Sequence, residues 1–203
     1  MNKGILFVLS GPSGVGKNTV LDALFKEYDG VSYSVSATTR EAREGEVEGE
    51  DYFFISEEEF KNIEKKNGFI ECALVHGHYY GTPKKFVDEK LESGEDIILE
   101  IDTQGAKQVR EKYPDAVYIF LLPPSLEELK NRLDKRDTED TKNKSIRIKN
   151  ARAELKEVHK YDYEVVNDSL EDAVREIKKI ILREQKRRDE KDDNWTICRK
   201  TSW

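Results

Sequence analysis

The chain has 203 residues, 36% of them hydrophobic and 38% charged, with 42 acidic against 35 basic side chains and a net charge of −7. That length suits one domain with a substantial core, or a core with small inserted lobes, and its clear apolar strands set it apart from disordered compositions. The acidic balance argues against a general nucleic-acid or membrane-surface binder, so any handling of phosphate must rest on locally gathered arginine and lysine.

Cys72 and Cys198 are few and far apart, which points away from a disulfide framework and toward a reducing compartment. No run approaches the roughly 18 apolar residues of a membrane span. Ile5 to Leu9 is too short for a signal-peptide core. A soluble, cytoplasmic protein is expected.

In chain order, Ile5 to Leu9 is an unbroken apolar run, as in a strand buried on both faces of a parallel sheet. It leads through Ser10 into Gly11-Pro12-Ser13-Gly14-Val15-Gly16-Lys17-Asn18-Thr19, and from Thr19 to Phe25 apolar residues recur at helical spacing. Strand, glycine loop and helix form the context in which G-x-x-x-x-G-K reads as a phosphate site. The glycines let backbone N–H groups turn toward an anion, the helix start adds its positive dipole end, and Lys17 adds a full charge for the β- and γ-phosphates. The residue after the lysine, where Ser or Thr usually holds Mg²⁺, is Asn18, whose amide oxygen is a weaker metal ligand.

Val31 to Thr39 reads as an alternating strand, followed by a polar stretch from Arg40 to Asp51 and a short strand from Tyr52 to Ile55. Ser56-x-x-Glu59 is a capping box opening a helix from Glu57 to Lys66. Phe69 to Val75 is another strand, His76 to Gly81 a turn, and Thr82-Pro83 the N-cap and first residue of a helix ending at Gly94. Asp96 to Ile101 and Val117 to Leu122 are apolar strands, with a helix from Gln104 to Lys112 between them. Ser125-x-x-Glu128 opens a helix to Lys135, residues 137–145 read as an exposed, mobile connection, and Ser145 to His159 as a helix. Tyr163 to Val166 is a last strand and Ser169 to Arg187 a long final helix, with a loosely held charged tail from Asp189. The alternation predicts an α/β fold: a doubly wound parallel sheet from residues 1–32, 82–136 and 148–187. An inserted antiparallel lobe spans 33–81, a small helical lid 137–147 and the tail 188–203.

Several stretches together resemble guanylate kinase. They are Ser-Gly-Pro-Ser-Gly-Val-Gly-Lys at 10–17, Ser-x-Thr-Thr-Arg-x-x-Arg-x-Gly-Glu at 36–46, Gly-x-Asp-Tyr-x-Phe at 49–54, Phe-Ile-Glu at 69–71 and Tyr-Tyr-Gly at 79–81. Leu-Glu-Ile-Asp-x-Gln-Gly-Ala at 99–106, Pro-Pro-Ser at 123–125 and Asn167-Asp168 continue the likeness, which runs in order from about residue 3 to 187. The resemblance implies transfer of the terminal phosphoryl of ATP to GMP, and to dGMP, with Mg²⁺, in purine nucleotide metabolism. It implies small-molecule substrates with no nucleic acid or membrane partner, in a monomer or homodimer.

By that resemblance Arg40 and Arg43 clamp the acceptor phosphate, and two guanidinium forks three residues apart can converge on one dianion. Tyr52 and Tyr80 match tyrosines that contact the same phosphate or ring, although core aromatics with a wet hydroxyl would look alike. Glu71 matches the guanine reader. Guanine presents N1–H and the N2 amino group as adjacent donors that one carboxylate can accept, and adenine does not, a difference worth as much as about 10⁴-fold. Ser36 and Thr82, with Gly81 beside them, match the contacts to guanine O6. Asp102 is expected near the acceptor and the metal's water shell, with Glu100 close by, while helix N-capping accounts for Asp102 as well.

Arg136 and Arg147, near Arg132, match arginines that swing over the phosphates when the lid closes. The chain departs from the pattern at Asp137, where Gly is usual, and at Lys142 to Ser145. Asn167 and Asp168 are expected by the adenine of ATP, and a turn and helix N-cap would explain them too. Two other readings remain: a non-catalytic binding module of the same fold, which typically lacks the loop lysine and glycines, and a kinase for another nucleoside monophosphate.

Overall fold

The computed structural model describes residues 3–75, 77–135 and 141–200 and, within them, every side chain except those at 135, 141–146 and 191–200. Its main sheet has five parallel strands in the order β2 (Ser32–Tyr33), β7 (Ile97–Glu100), β1 (Leu6–Ser10), β8 (Val117–Leu122) and β9 (Tyr163–Val166). Strand β1 is central, with Leu6 beside Ile97 and Phe7 beside Val117. Its side chains alternate between two packed layers, as the two-residue period requires. Phe7 and Leu9 meet helices α1 (Lys17–Glu27) and α7 (Leu170–Lys200) through Val20, Leu24, Val174, Ile177 and Ile181. Leu6 and Val8 meet α3 (Lys84–Glu92) and α4 (Thr103–Lys112) through Val87, Leu91, Ala106 and Val109. Helices on both faces make the sheet doubly wound. They leave the carboxyl ends of β1 and β7, adjacent through Leu9 and Glu100, at the ligand crevice of such a sheet.

A second sheet runs β4 (Tyr52–Phe54), β3 (Ser36–Thr38), β6 (His78–Pro83), β5 (Phe69–Val75), with α2 (Glu57–Lys65) packed on it through Phe60. It is mixed rather than wholly antiparallel. The connection 39–51 is long enough for a crossover, and it returns the chain so that β4 lies parallel to β3. The Ser56 capping box forms as read, with Glu59 answering the Ser56 N–H.

Other expectations change. The stretch 31–39 is not one strand: Ser32–Tyr33 edges the main sheet, and past buried Ser34 the chain crosses to the second. Residues 78–83 are strand rather than turn and cap, because β5 supplies a pairing partner from Phe69 to Val75. Helix α3 therefore starts at Lys84 behind Pro83, and the Thr82 hydroxyl is used elsewhere. Helix α6 (Thr141–Leu155) begins four residues before Ser145, so 141–144 are helical; residues 137–140 of the expected connection lie outside the described residues. Helix α7 runs on to Lys200, since nothing from Arg188 to Lys200 is Gly or Pro. Arg188 anchors that extension, donating to the Asp96 carboxylate at 2.6 Å. No helix among the described residues is long and apolar enough to cross a membrane.

Candidate active site

The loop between β1 and α1 is shaped by glycines in the left-handed region, where a side chain would be strained. Gly11 has φ 152° and Gly16 φ 97°. A Cβ on Gly11 would sit 2.4 Å from the Leu121 carbonyl oxygen, and one on Gly16 2.7 Å from Asn167 Nδ2. Gly16 is the N-cap of α1 and brings no capping side chain, so the first N–H groups of the helix open into the loop. Lys17 reaches back across it, donating from Nζ to the Gly11 carbonyl at 2.9 Å. From behind, Asn167 Nδ2 donates to the Val15 carbonyl at 2.8 Å, and Arg132 Nη2 donates to the Asn167 carbonyl at 3.1 Å. Asn167 is buried and braces the loop; Asp168, next to it, is exposed.

Helices α5 (Leu126–Lys135) and α6 pack through Leu129, Leu133, Ile148 and Ala151, and this sets one face of α6 over the loop. Arg147 Nη2 donates to Ser13 Oγ at 3.3 Å, and the Ser13 N–H donates to Glu154 Oε2 at 3.3 Å. Burial raises the Glu154 pKa, against the pull of nearby Lys17. Glu154 went unread in the sequence. Its signal was spacing, seven residues and two helical turns from Arg147 on the same face. Arg136 lies outside the described residues.

On the acceptor side, Arg40 forks onto Glu46, with Nη1–Oε2 at 2.9 Å and Nη2–Oε1 at 2.8 Å, and donates to the Glu41 carbonyl at 2.7 Å. Glu46 holds the Arg40 pKa up, and Arg40 in turn holds Glu46 down. The guanidinium lies 5.5 Å from the Tyr52 ring centre, and Tyr52 and Tyr80 meet edge to face at 6.0 Å. Arg40 Nε is buried with no hydrogen-bond partner, a donor available to an anion. Arg43 gives its N–H to Glu46, while its side chain is exposed.

Glu71 is buried, and its Oε1 accepts from the Thr82 hydroxyl at 2.7 Å. Desolvation raises its pKa, the Thr82 bond opposes this, and the Asp102 charge adds to the rise. Gly81 lies in β6 opposite Cys72, where a Cβ would crowd the Phe69 ring at 3.0 Å. Ser36 pairs with Tyr52 at the start of β3. Glu100 ends β7, and its charge adds to the burial that raises Tyr33 and Tyr52.

Asp102 meets the capping expectation: Oδ1 accepts from the Gly105 N–H at 2.7 Å, at the start of α4. Its charge adds to the rise at both Glu71, on the acceptor side, and Glu154, at the phosphate loop. Asn18 and Thr19 are exposed on the first turn of α1. Among the described residues no three His, Cys, Asp or Glu side chains gather to hold a metal by themselves. One carboxylate and one amide oxygen do suit Mg²⁺, which keeps several waters and takes substrate phosphates as ligands.

The guanylate kinase family model matches residues 3–184. The chain is 50% identical over 200 residues to a guanylate kinase of Caldanaerobacter subterraneus subsp. tengcongensis, covering 98% of this chain and 97% of that one. It is 53% identical over 192 residues to one of Clostridium acetobutylicum, with 95% and 91% covered. The crystal structure of guanylate kinase from Anaplasma phagocytophilum superposes with a TM-score of 0.72 at 37% identity, covering 91% of this chain and 87% of that one.

Proposed function

The chain belongs to the guanylate kinase family and transfers the terminal phosphoryl group of ATP to GMP, and from that premise we propose how its own side chains divide the work. Glu71 reads the guanine, accepting from N1–H and the N2 amino group, with Ser36 and Thr82 toward O6. The buried Glu71 carboxylate, which accepts from the Thr82 hydroxyl, supports this reading. Arg40, Arg43, Tyr52 and Tyr80 receive the GMP phosphate, which the unpartnered Arg40 Nε supports.

ATP lays its phosphates on the loop Gly11 to Thr19, with Lys17 beside the β- and γ-groups and Asn167-Asp168 behind. Asp102 and Glu100 sit between donor and acceptor. Asp102 and Asn18 are the residues that would hold Mg²⁺. When bound, the ion neutralises charge on the β- and γ-oxygens.

Phosphoryl transfer asks little covalent chemistry of the protein, so the rate rests on in-line positioning and on fixed positive groups where charge spreads in the transition state. Lys17 and Arg147 supply those groups from two elements that meet at the loop, and the family pattern adds Arg136. Closure over both nucleotides excludes water, which would otherwise accept the phosphoryl group. The same reading makes the protein a cytoplasmic monomer or homodimer that accepts dGMP as well.

A coupled assay of ADP formation with GMP, dGMP, AMP and UMP tests it. GMP is expected to be the strongest acceptor; preference for AMP would remove Glu71 as the base reader. No ADP formation with any acceptor would instead favour a non-catalytic binding module, against which the intact Lys17 and glycines already speak.

A further inference from the structure

Glu71 sits in an irregular part of its strand. Between Phe69, opposite Pro83, and Cys72, opposite Gly81, β5 has one residue more than β6, so Ile70 and Glu71 lie on a β-bulge. Bulges bend a strand and re-aim its side chains, and they leave backbone groups without a ladder partner. Here the open outer edge of β5, at the bulge and on either side of it, is met from the main domain by α4. Lys112 Nζ donates to the carbonyls of Phe69 at 2.9 Å and Ile70 at 2.6 Å. The Gln108 amide takes both backbone groups of Cys72, accepting from its N–H at 3.2 Å and donating to its carbonyl at 3.1 Å.

One turn earlier on the same face of α4 comes Gly105, buried in the helix, where alanine would be the better helix former. A Cβ there would lie 3.0 Å from Glu71 Oε2, 3.3 Å from Ile101 Cβ and 3.5 Å from Asp102 Oδ1. The missing side chain is the space the carboxylate uses. Residues 105, 108 and 112 thus form one stripe (i, i+3, i+7) that touches Glu71 at its carboxylate and its backbone on both sides.

We infer that Gly105, Gln108 and Lys112 are specificity-determining positioning residues: this stripe of α4 holds the bulge that aims Glu71 at the guanine edge and leaves room for its carboxylate. The inference rests on the reading of Glu71 as the guanine reader. A displacement of a reading group by a few tenths of an ångström up to 1 Å is enough to cost up to about 100-fold.

The experiment compares wild type with Gly105→Ala, Lys112→Met and Lys112→Arg. KM and kcat are measured for GMP and for inosine monophosphate, which keeps N1–H and O6 but lacks the N2 amino group, and thermal melts accompany them. Gly105→Ala is expected to melt at or above the wild-type temperature. Its KM for GMP should rise about 10-fold or more, with kcat at saturating GMP and KM for ATP within about threefold, and the preference for GMP over inosine monophosphate should fall. Lys112→Met should move the same two readouts and Lys112→Arg should restore most of them. Combining Gly105→Ala with Glu71→Gln should add nothing, because both act on one contact. Wild-type KM and base preference in Gly105→Ala and Lys112→Met, alongside their loss in Glu71→Gln, would overturn the inference and leave the role of Glu71 standing. Wild-type values in Glu71→Gln would remove that role and the inference with it.

Discussion

The N–H of Ser13 in the phosphate loop donates to the carboxylate of Glu154 at 3.3 Å, although 141 residues separate the two in the chain. A carboxylate therefore stands at a loop built to receive anions, with Lys17 on one side and Asp102 near enough to be felt. ATP brings its own negative oxygens to the same N–H groups, so Glu154 competes with it. Glu154→Gln should lower KM for ATP by about three- to tenfold, with like-charge repulsion removed. Burial raises the Glu154 pKa, so acid protonates it while most surface carboxylates are still ionised. Wild-type KM for ATP should approach that of the variant as pH falls, and the gap should reopen as pH rises. A constant gap from pH 5 to 8 would contradict the competition.

Glu71 makes a trade between recognition and stability. Its folded pKa lies above the ordinary glutamate value, so the native state binds the proton more tightly than the unfolded chain. Stability from this group is full below the unfolded value and is lost as pH rises through the folded one. Glu71→Gln keeps an acceptor for the Thr82 hydroxyl and removes the buried charge. The ligand-free variant should gain about 1 kcal/mol at neutral pH, or about 2–4 °C in Tm. Melts at pH 4, 6 and 8 should show the advantage growing with pH; a variant melting below wild type at pH 8 would refute this.

Glu46 orders the acceptor clamp, holding the Arg40 fork and the Arg43 N–H together. Glu46→Ala should raise KM for GMP about 10-fold and leave KM for ATP unchanged. Arg40→Lys should lose nearly as much turnover as Arg40→Ala, because an ammonium cannot make the planar fork. Full activity in the lysine variant would mean that charge alone suffices.

Lys17→Ala should fold as wild type and lose at least about 10²-fold in kcat, since it removes a fixed positive group from the transition state. Steady-state kinetics with a melt as control decide it, and wild-type turnover would remove Lys17 from catalysis.

Asp96 ties the start of β1 to helix α7. Its carboxylate accepts from the Ile5 N–H at 2.6 Å, Gln185 Nε2 at 2.7 Å and Arg188 Nη1 at 2.6 Å, with only 4% of the side chain exposed. Asp96→Ala leaves the half-buried Ile5 N–H and the donors of Gln185 and Arg188 without this acceptor and should cost about 2–3 kcal/mol by denaturant unfolding. Both KM values should stay at wild type, since the contact lies at the amino ends of β1 and β7 and the crevice at their carboxyl ends.

Much of the scaffold was legible because burial writes itself into composition. The apolar runs of β1 and β8 are covered on both faces, and β8 falls on Val117–Leu122 as read. The Ser56 box was legible because its chemistry is local. Features set by distant partners were not. His78–Pro83 carries turn and cap residues and becomes strand only because β5 lies beside it. Thr82 looks like a cap until Glu71 claims its hydroxyl. Glu154 looks like one more solvated acid on a helix until the packing of Ala151 and Ile148 fixes which way that face turns. The bulge at Ile70 and Glu71 has no mark in a single strand, because it exists only relative to β6.

Strand β5 is the outer member of its sheet, and such an edge offers unpaired amides and carbonyls to any extended segment that drifts by. Gln108 and Lys112 occupy that row at residues 69, 70 and 72, shielding it from strands of neighbouring molecules. Loosening α4 to broaden base choice would therefore carry a second cost, a protein more prone to self-association through the bared margin of its smaller sheet.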